Sequence, residues 1–352
     1  MRKAIQILAC LAVLMSAIVA WAETQTEAPV VGEQRREEKK AVRPVTPVEK
    51  GGGLLPTFRL VIEPSFEYDH FSGQNVSISG FTIFEAILIG QVSVQKVKRD
   101  IFIPALTLRL GLKDSEINVK IPYFIRQDKL IFPRSGGGTT DLVEDTEDDT
   151  GLGDIQSYFY YHLINEGKWK PWVPDTIIRV GVNFPTGKDP YNLNREFNIA
   201  LGNLLATEFP TGTGHWGTSF GVTFVKSVDP AVLFLNVAYY YNFERNVGTV
   251  SGIDYGTIKL GNSFEYSVGL IFALQEKLSM NFSLNQRITG QTQQNGVGLA
   301  DTSLNAIAFN IGATYIVNPR WTIDFVVGLG LSDDAPDVSA LIRVPISFQL
   351  GG

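Results

Sequence analysis

Cysteine is nearly absent. The 352 residues hold one, Cys10, and it lies in an N-terminal segment expected to be removed. A mature chain without cysteine builds neither disulfides nor thiolate metal sites. The histidines are His70, His162 and His215, and no G-x-S-x-G or H-E-x-x-H word occurs, so neither hydrolase signature is present. Long apolar runs are also missing. After residue 22 none approaches the roughly 18 residues of a helical membrane span. Positive charge is in deficit: 30 basic residues stand against 36 acidic ones, and removing Arg2 and Lys3 leaves 28 against 36. A phosphate-binding surface is basic, so nucleic acid is not an expected partner.

The N-terminus supplies a compartment. Arg2 and Lys3 precede an apolar run, Ile5–Val19, and Ala20-Trp21-Ala22 forms an A-x-A cleavage pattern. Residues 1–22 are therefore expected to be a cleaved secretory signal peptide. The apolar run continues past Cys10 rather than ending at it, unlike a lipoprotein box. Residues 23–56 hold Pro29, Pro44, Pro47 and Pro56, the charge run GEQRREEKK and Gly51-Gly52-Gly53. They lack apolar periodicity and read as a flexible, disordered periplasmic tail.

From residue 57 to 352 the pattern is β. In KLSMNFSLNQRI (277–288), Leu278, Met280, Phe282 and Leu284 share one face, and Ser279, Asn281, Ser283, Asn285 and Arg287 share the other. The same alternation runs through segments of about 9–13 residues, longer than the usual 5–6 of soluble strands. In lipid only helices and closed barrels satisfy every backbone group. A soluble sandwich also alternates, but two features favour the membrane. Aromatics cluster as in SYFYYHL (157–163) and AYYYNF (238–243), and short and long connections alternate. The expected fold is an all-β, transmembrane, antiparallel up-and-down β-barrel in a Gram-negative outer membrane. The lipid bilayer, lipopolysaccharide and the barrel-assembly machinery are its expected partners. Thirteen strand candidates emerge, and an even number is required. Twelve strands result if one segment within 57–99 is not in the wall; fourteen result if Asn75–Val97 folds as a pair.

The predicted lumen carries Arg59, Glu63, Glu67, Arg109, Lys120, Asp154, Arg179, Glu265, Arg287, Asp324 and Arg343. Arg109, Arg179, Arg287 and Arg343, with Glu265 and Asp324, are the selectivity candidates. The plainer alternative is that a narrow barrel fills itself with paired charges. The run DLVEDTEDD (141–149) fails as an EF-hand, because Thr150 and Gln156 stand where Gly and Glu are needed. It reads as a solvated outer loop. His215 with Ser219 is the one faint nucleophile–base pairing; His70 is expected in a loop and His162 near the periplasmic rim. No enzyme activity, metal or cofactor is expected. The loop from about 186 to 214 fits either an inward constriction or a packed outer cap.

The loops carry the most distinctive words. They are Thr150-Gly151-Leu152-Gly153-Asp154-Ile155, Phe184-Pro185-Thr186-Gly187, Phe209-Pro210-Thr211-Gly212, His215-Trp216-Gly217 and Asp333-Asp334-Ala335-Pro336-Asp337. In this order the chain resembles, over roughly 57–350, the family of outer-membrane barrels named for the meta-pathway of phenol degradation. The resemblance implies passive transport of small molecules, among them aromatic or poorly water-soluble compounds. A non-transporting anchor and an outer-membrane lipid hydrolase are the alternatives. One departure is the C-terminus, where Phe348 is followed by Gln349-Leu350-Gly351-Gly352 rather than closing the chain.

Overall fold

The alternating segments are strands. In the computed structural model residues 54–72, 96–133, 142–198, 203–206 and 208–350 are described, apart from 169, 171, 251 and 301. Every regular element among them is a β-strand. Residues 1–22, expected as a signal peptide, nearly all of the expected tail and most of the segment Asn75–Val97 lie outside the described residues.

Twelve strands form the wall. They are β1 (Arg59–Phe71), β2 (Lys96–Leu112), β3 (Ser115–Pro133), β4 (Ile155–Ile164), β5 (Asp175–Phe184), β6 (Gly217–Val228), β7 (Ala231–Asn242), β8 (Ser263–Gln275), β9 (Leu278–Thr289), β10 (Leu304–Asn318), β11 (Trp321–Gly330) and β12, which runs in two pieces, Val338–Arg343 and Ile346–Gln349. Each pairs antiparallel with the next, and β12 closes onto β1 through Ser65↔Arg343 and Leu60↔Phe348. Because β1 pairs directly with β2 from Leu60↔Leu110 to Phe71↔Arg99, the count is twelve and not fourteen. Closure removes the sheet edges that lipid cannot solvate.

The faces follow the parity of the sequence. On β9, Ser279, Asn281, Ser283 and Arg287 are buried inward, while Ile288 is exposed outward. Around the wall the outward positions carry Phe66, Leu108, Phe159, Phe220, Val268 and Phe325, all exposed. Trp172 and Trp321 mark the end with short turns, and Trp216 and Phe243 mark the end with long loops. Such paired aromatic girdles match a bilayer's two interfaces.

Two local expectations need correction. The acidic run is not a solvated loop. Leu142–Leu152 is a strand that pairs with the far half of β3, from Tyr123↔Leu152 to Pro133↔Leu142. Backbone pairing to a long neighbouring strand outweighs the weak strand preference of Asp and Glu. His70 is not in a loop but near the end of β1, with Nδ1 2.8 Å from Asp100 Oδ1 on β2.

Candidate functional site: the lumen and its mouth

Strand parity brings the predicted inward charges together. Arg109 donates from Nη1 to Glu63 Oε2 at 3.2 Å and from Nε to Glu116 Oε1 at 2.9 Å. Arg287 pairs with Glu265, directly opposite on β8. Arg343 lies 3.7 Å from Asp324, again directly opposite on the neighbouring strand. These three arginines are therefore anchored by carboxylates, as expected of a narrow barrel that fills itself. Arg179 differs. Its Nη2 donates to Tyr240 Oη at 3.1 Å, and its guanidinium lies 5.2 Å from the ring of Tyr158.

A cavity of about 220 Å³ remains between these groups. Its wall includes Glu63, Glu67, Asp69, Lys120, Arg179, Glu265, Arg287 and Arg343, with Tyr158, Tyr160 and Tyr240. Arg109, Asp154 and Asp324 are buried beyond its wall. Two segments enter from opposite ends. At the short-turn end Leu55 N donates to Glu116 Oε2 at 2.9 Å, and Leu54 packs against Tyr158, Tyr160 and Ile177. At the other end Ala335 and Pro336 of the Asp333–Asp337 word reach the cavity wall.

No described residue of 186–214 lines that cavity. Its described residues belong to an outer cap rather than to a mid-lumen constriction. Tyr191 packs with Tyr255, Ile258 and Leu260 of the neighbouring loop region. The side chains of Phe197, Ile199, Leu201, Leu204 and Leu205 lie outside the described residues. An apolar loop can fold inward or pack on a neighbouring loop, and the partner surface, invisible in the sequence, decides between them.

The loop words meet as one knot at the mouth. Against β3, Lys120 faces Gln156 while Tyr123 faces Leu152, so one extra residue is inserted between them. This bulge reverses the inward parity. Asp149 points in before it and Asp154 after it. Asp154 then accepts from Asn183 Nδ2 at 2.9 Å, Gly187 N at 3.0 Å, Thr213 N at 2.8 Å and Thr213 Oγ1 at 2.7 Å. Thr186 Oγ1 donates to Gly153 O at 2.9 Å, and Thr211 Oγ1 donates to Leu152 O at 2.7 Å. The two glycines of the repeated P-T-G word lie against each other. A Cβ on Gly187 would come within 2.6 Å of Gly212 Cα, and one on Gly212 within 2.3 Å of Asp154 Oδ1. The words are thus a structural lock, with glycine required for close approach.

The histidine is occupied by that cap. Tyr191 Oη lies 2.7 Å from His215 Nε2, and His215 Nδ1 lies 3.1 Å from the Phe243 carbonyl, which can only accept. Nδ1 therefore carries the proton and Nε2 accepts from the tyrosine, as in a neutral imidazole. Burial, opposed by the Phe243 carbonyl and aided by nearby Arg245, holds its pKa below the ordinary value. Both ring nitrogens are used, so no lone pair remains to activate Ser219.

Sequence reasoning missed a further cluster on the long β2–β3 hairpin. Asp128, 1% exposed, accepts from Arg99 Nη2 and from Arg126 Nη2, each at 2.6 Å. The signal was present, since Arg99 continues the inward parity of Arg109. The Arg126 guanidinium also lies 4.1 Å from the Phe209 ring centroid, tying this hairpin to the cap.

Comparison with known proteins agrees with this architecture. The model of the family described as MetA-pathway of phenol degradation matches residues 89–348. Among solved structures, an outer membrane channel from Pseudomonas putida F1 superposes with a TM-score of 0.55 at 16% identity, covering 87% of this chain and 100% of that one. The translocator domain of the autotransporter NalP from Neisseria meningitidis gives 0.43 at 10% identity, covering 84% and 89%. At these identities the likeness concerns the fold, and only the first is close enough to support that comparison.

Proposed function

We propose, from the premise that this chain belongs to the family of the MetA-pathway of phenol degradation, that it is an outer-membrane channel for passive passage of small molecules. The observation that carries this reading is the lumen itself. A twelve-stranded wall encloses a polar, charge-lined cavity of about 220 Å³ instead of a fully packed core. The name of the Pseudomonas protein of the same fold, an outer membrane channel, points the same way. Solutes pass by diffusion. The ion pairs Arg109–Glu63, Arg287–Glu265 and Arg343–Asp324 keep the lining in place, so the passage has a defined shape and field. Selectivity resides in the inward arginines, with Arg179 foremost because it faces tyrosines rather than a carboxylate. Hydrophobic or aromatic solutes are the proposed cargo, on the family resemblance.

Single-channel conductance of the refolded mature chain in a planar bilayer tests this. Steady unitary currents are expected, with an ion preference that moves when Arg179 is replaced. A folded barrel without current would overturn the channel reading. It would favour a lumen held shut at the Leu54–Pro56 end, in a protein that serves as an anchor.

A further inference from the structure

Arg179 stands apart among the buried arginines of the barrel midsection. Arg109, Arg287 and Arg343 each face a carboxylate within 4 Å. Arg179 is 9% exposed, pairs with no carboxylate among the described residues, and has an Nε that meets no acceptor. Its hydrogen bond goes to the Tyr240 hydroxyl at 3.1 Å. Removing a guanidinium from water without an anion is costly, and this one lies on the wall of the cavity.

The surroundings suit an incoming anion. Arg287 lies close by, with its guanidinium 4.4 Å from the centroid of the same Tyr240 ring that Arg179 faces at 5.8 Å. The two guanidinium groups thus bracket one tyrosine ring, and Glu265 pairs with Arg287. Opposite Arg179 on the next strand stands Gly221, and a Cβ there would lie 3.3 Å from Arg179 Nε. Glycine leaves room for the guanidinium there, and the Nε itself is shielded from solvent. From the cavity wall the guanidinium offers a planar fork of N–H donors that matches a carboxylate. Tyr158, Tyr160 and Tyr240 line the same cavity, and tyrosine rings offer apolar faces against which a second ring packs.

We propose that Arg179 and Arg287, with the rings of Tyr158 and Tyr240, form a binding subsite for one small organic anion, a carboxylate carried on an aromatic ring. The carboxylate meets the Arg179 fork and the ring lies among the tyrosines. The proposal rests on the channel reading for how the ligand reaches the lumen, and binding is tested separately from current.

The test is calorimetric titration of the folded full chain in detergent with benzoate, acetate and benzyl alcohol. Benzoate is expected to bind. Acetate, which lacks the ring, and benzyl alcohol, which lacks the charge, are each expected to bind at least about tenfold more weakly. Arg179→Gln is expected to weaken benzoate by about tenfold or more. Arg179→Lys, which keeps the charge and loses the fork, should weaken it by a smaller factor. Absence of benzoate binding overturns the proposal, as does equal affinity for acetate or benzyl alcohol. Unchanged benzoate affinity in either variant overturns it too, and the lysine variant decides if the glutamine variant does not fold. A wild-type barrel that binds benzoate but carries no current would overturn the channel reading and leave the subsite standing.

Discussion

Asp154 accepts two hydrogen bonds from Thr213, a residue 59 positions later in the chain. One comes from the main-chain N at 2.8 Å and one from the hydroxyl at 2.7 Å. With Asn183 and Gly187 it collects four donors. Asp154→Ala leaves all of them without the acceptor. The expected loss is roughly 3 kcal/mol, since bonds to a charged group are the stronger class. Urea unfolding of the refolded barrel measures it. The capping loop should also become a protease target in this variant, and a loop as resistant as in the wild type would refute the lock.

Gly212 tests the same knot from the other side. In Gly212→Ala the new methyl meets Asp154 Oδ1 at 2.3 Å, with Gly187 Cα at 2.8 Å. The loop must shift to admit it. Gly290→Ala is the contrast, because its nearest neighbour would be 3.7 Å away. Limited proteolysis should open the loop only in the first variant.

His215 makes the cap sensitive to pH. Its folded pKa lies below 6.5 because burial disfavours the charged ring. Below 6.5 the unfolded chain binds a proton that the folded chain refuses, so stability rises with pH in that window. It is lost as pH falls through 6.5 toward the folded value, at no more than about 1.4 kcal/mol per pH unit. Unfolding midpoints compared at pH 7.5 and pH 5.5 should differ in this sense, and His215→Gln should flatten the difference.

The short-turn end predicts a change of current. Leu55 is held by Glu116, which is 0% exposed, and Leu54 packs on Tyr158 and Tyr160. A chain whose mature sequence begins at Thr57 lacks both residues. Its unitary conductance should exceed that of the intact chain. An unchanged conductance would show that Leu54–Pro56 does not limit the path.

The outer face of β9 predicts an asymmetry of substitution. Phe282 points outward and Ser283 inward, one residue apart. Phe282→Arg places a charge toward lipid near mid-strand, at a cost of about 2–4 kcal/mol at the bilayer centre. Ser283→Arg enters a polar lumen and should lose less. The temperature at which the folded band is lost on unboiled gels ranks the two.

Much of this architecture was legible in the sequence. Leu278, Met280, Phe282 and Leu284 alternate with polar residues, and a period of two leaves only the choice of which solvent meets which face. The inward position of Arg109, Arg179, Arg287 and Arg343 followed from that parity alone. The acidic run misled because its composition favours solvent, whereas a long neighbouring strand supplied its backbone partners.

The chain by itself determined the barrel, its faces and its charged lining, because side-chain alternation is local and survives any arrangement of strands. Only the tertiary structure decided what each charge meets. Opposition of Glu265 with Arg287, and of Asp324 with Arg343, depends on the register between strands. Parity reversal at Asp154 depends on a single extra residue. The isolation of Arg179 among tyrosines depends on β4, β5 and β7 meeting around one cavity. Register and closure are properties of the whole sheet, and no single segment carries them.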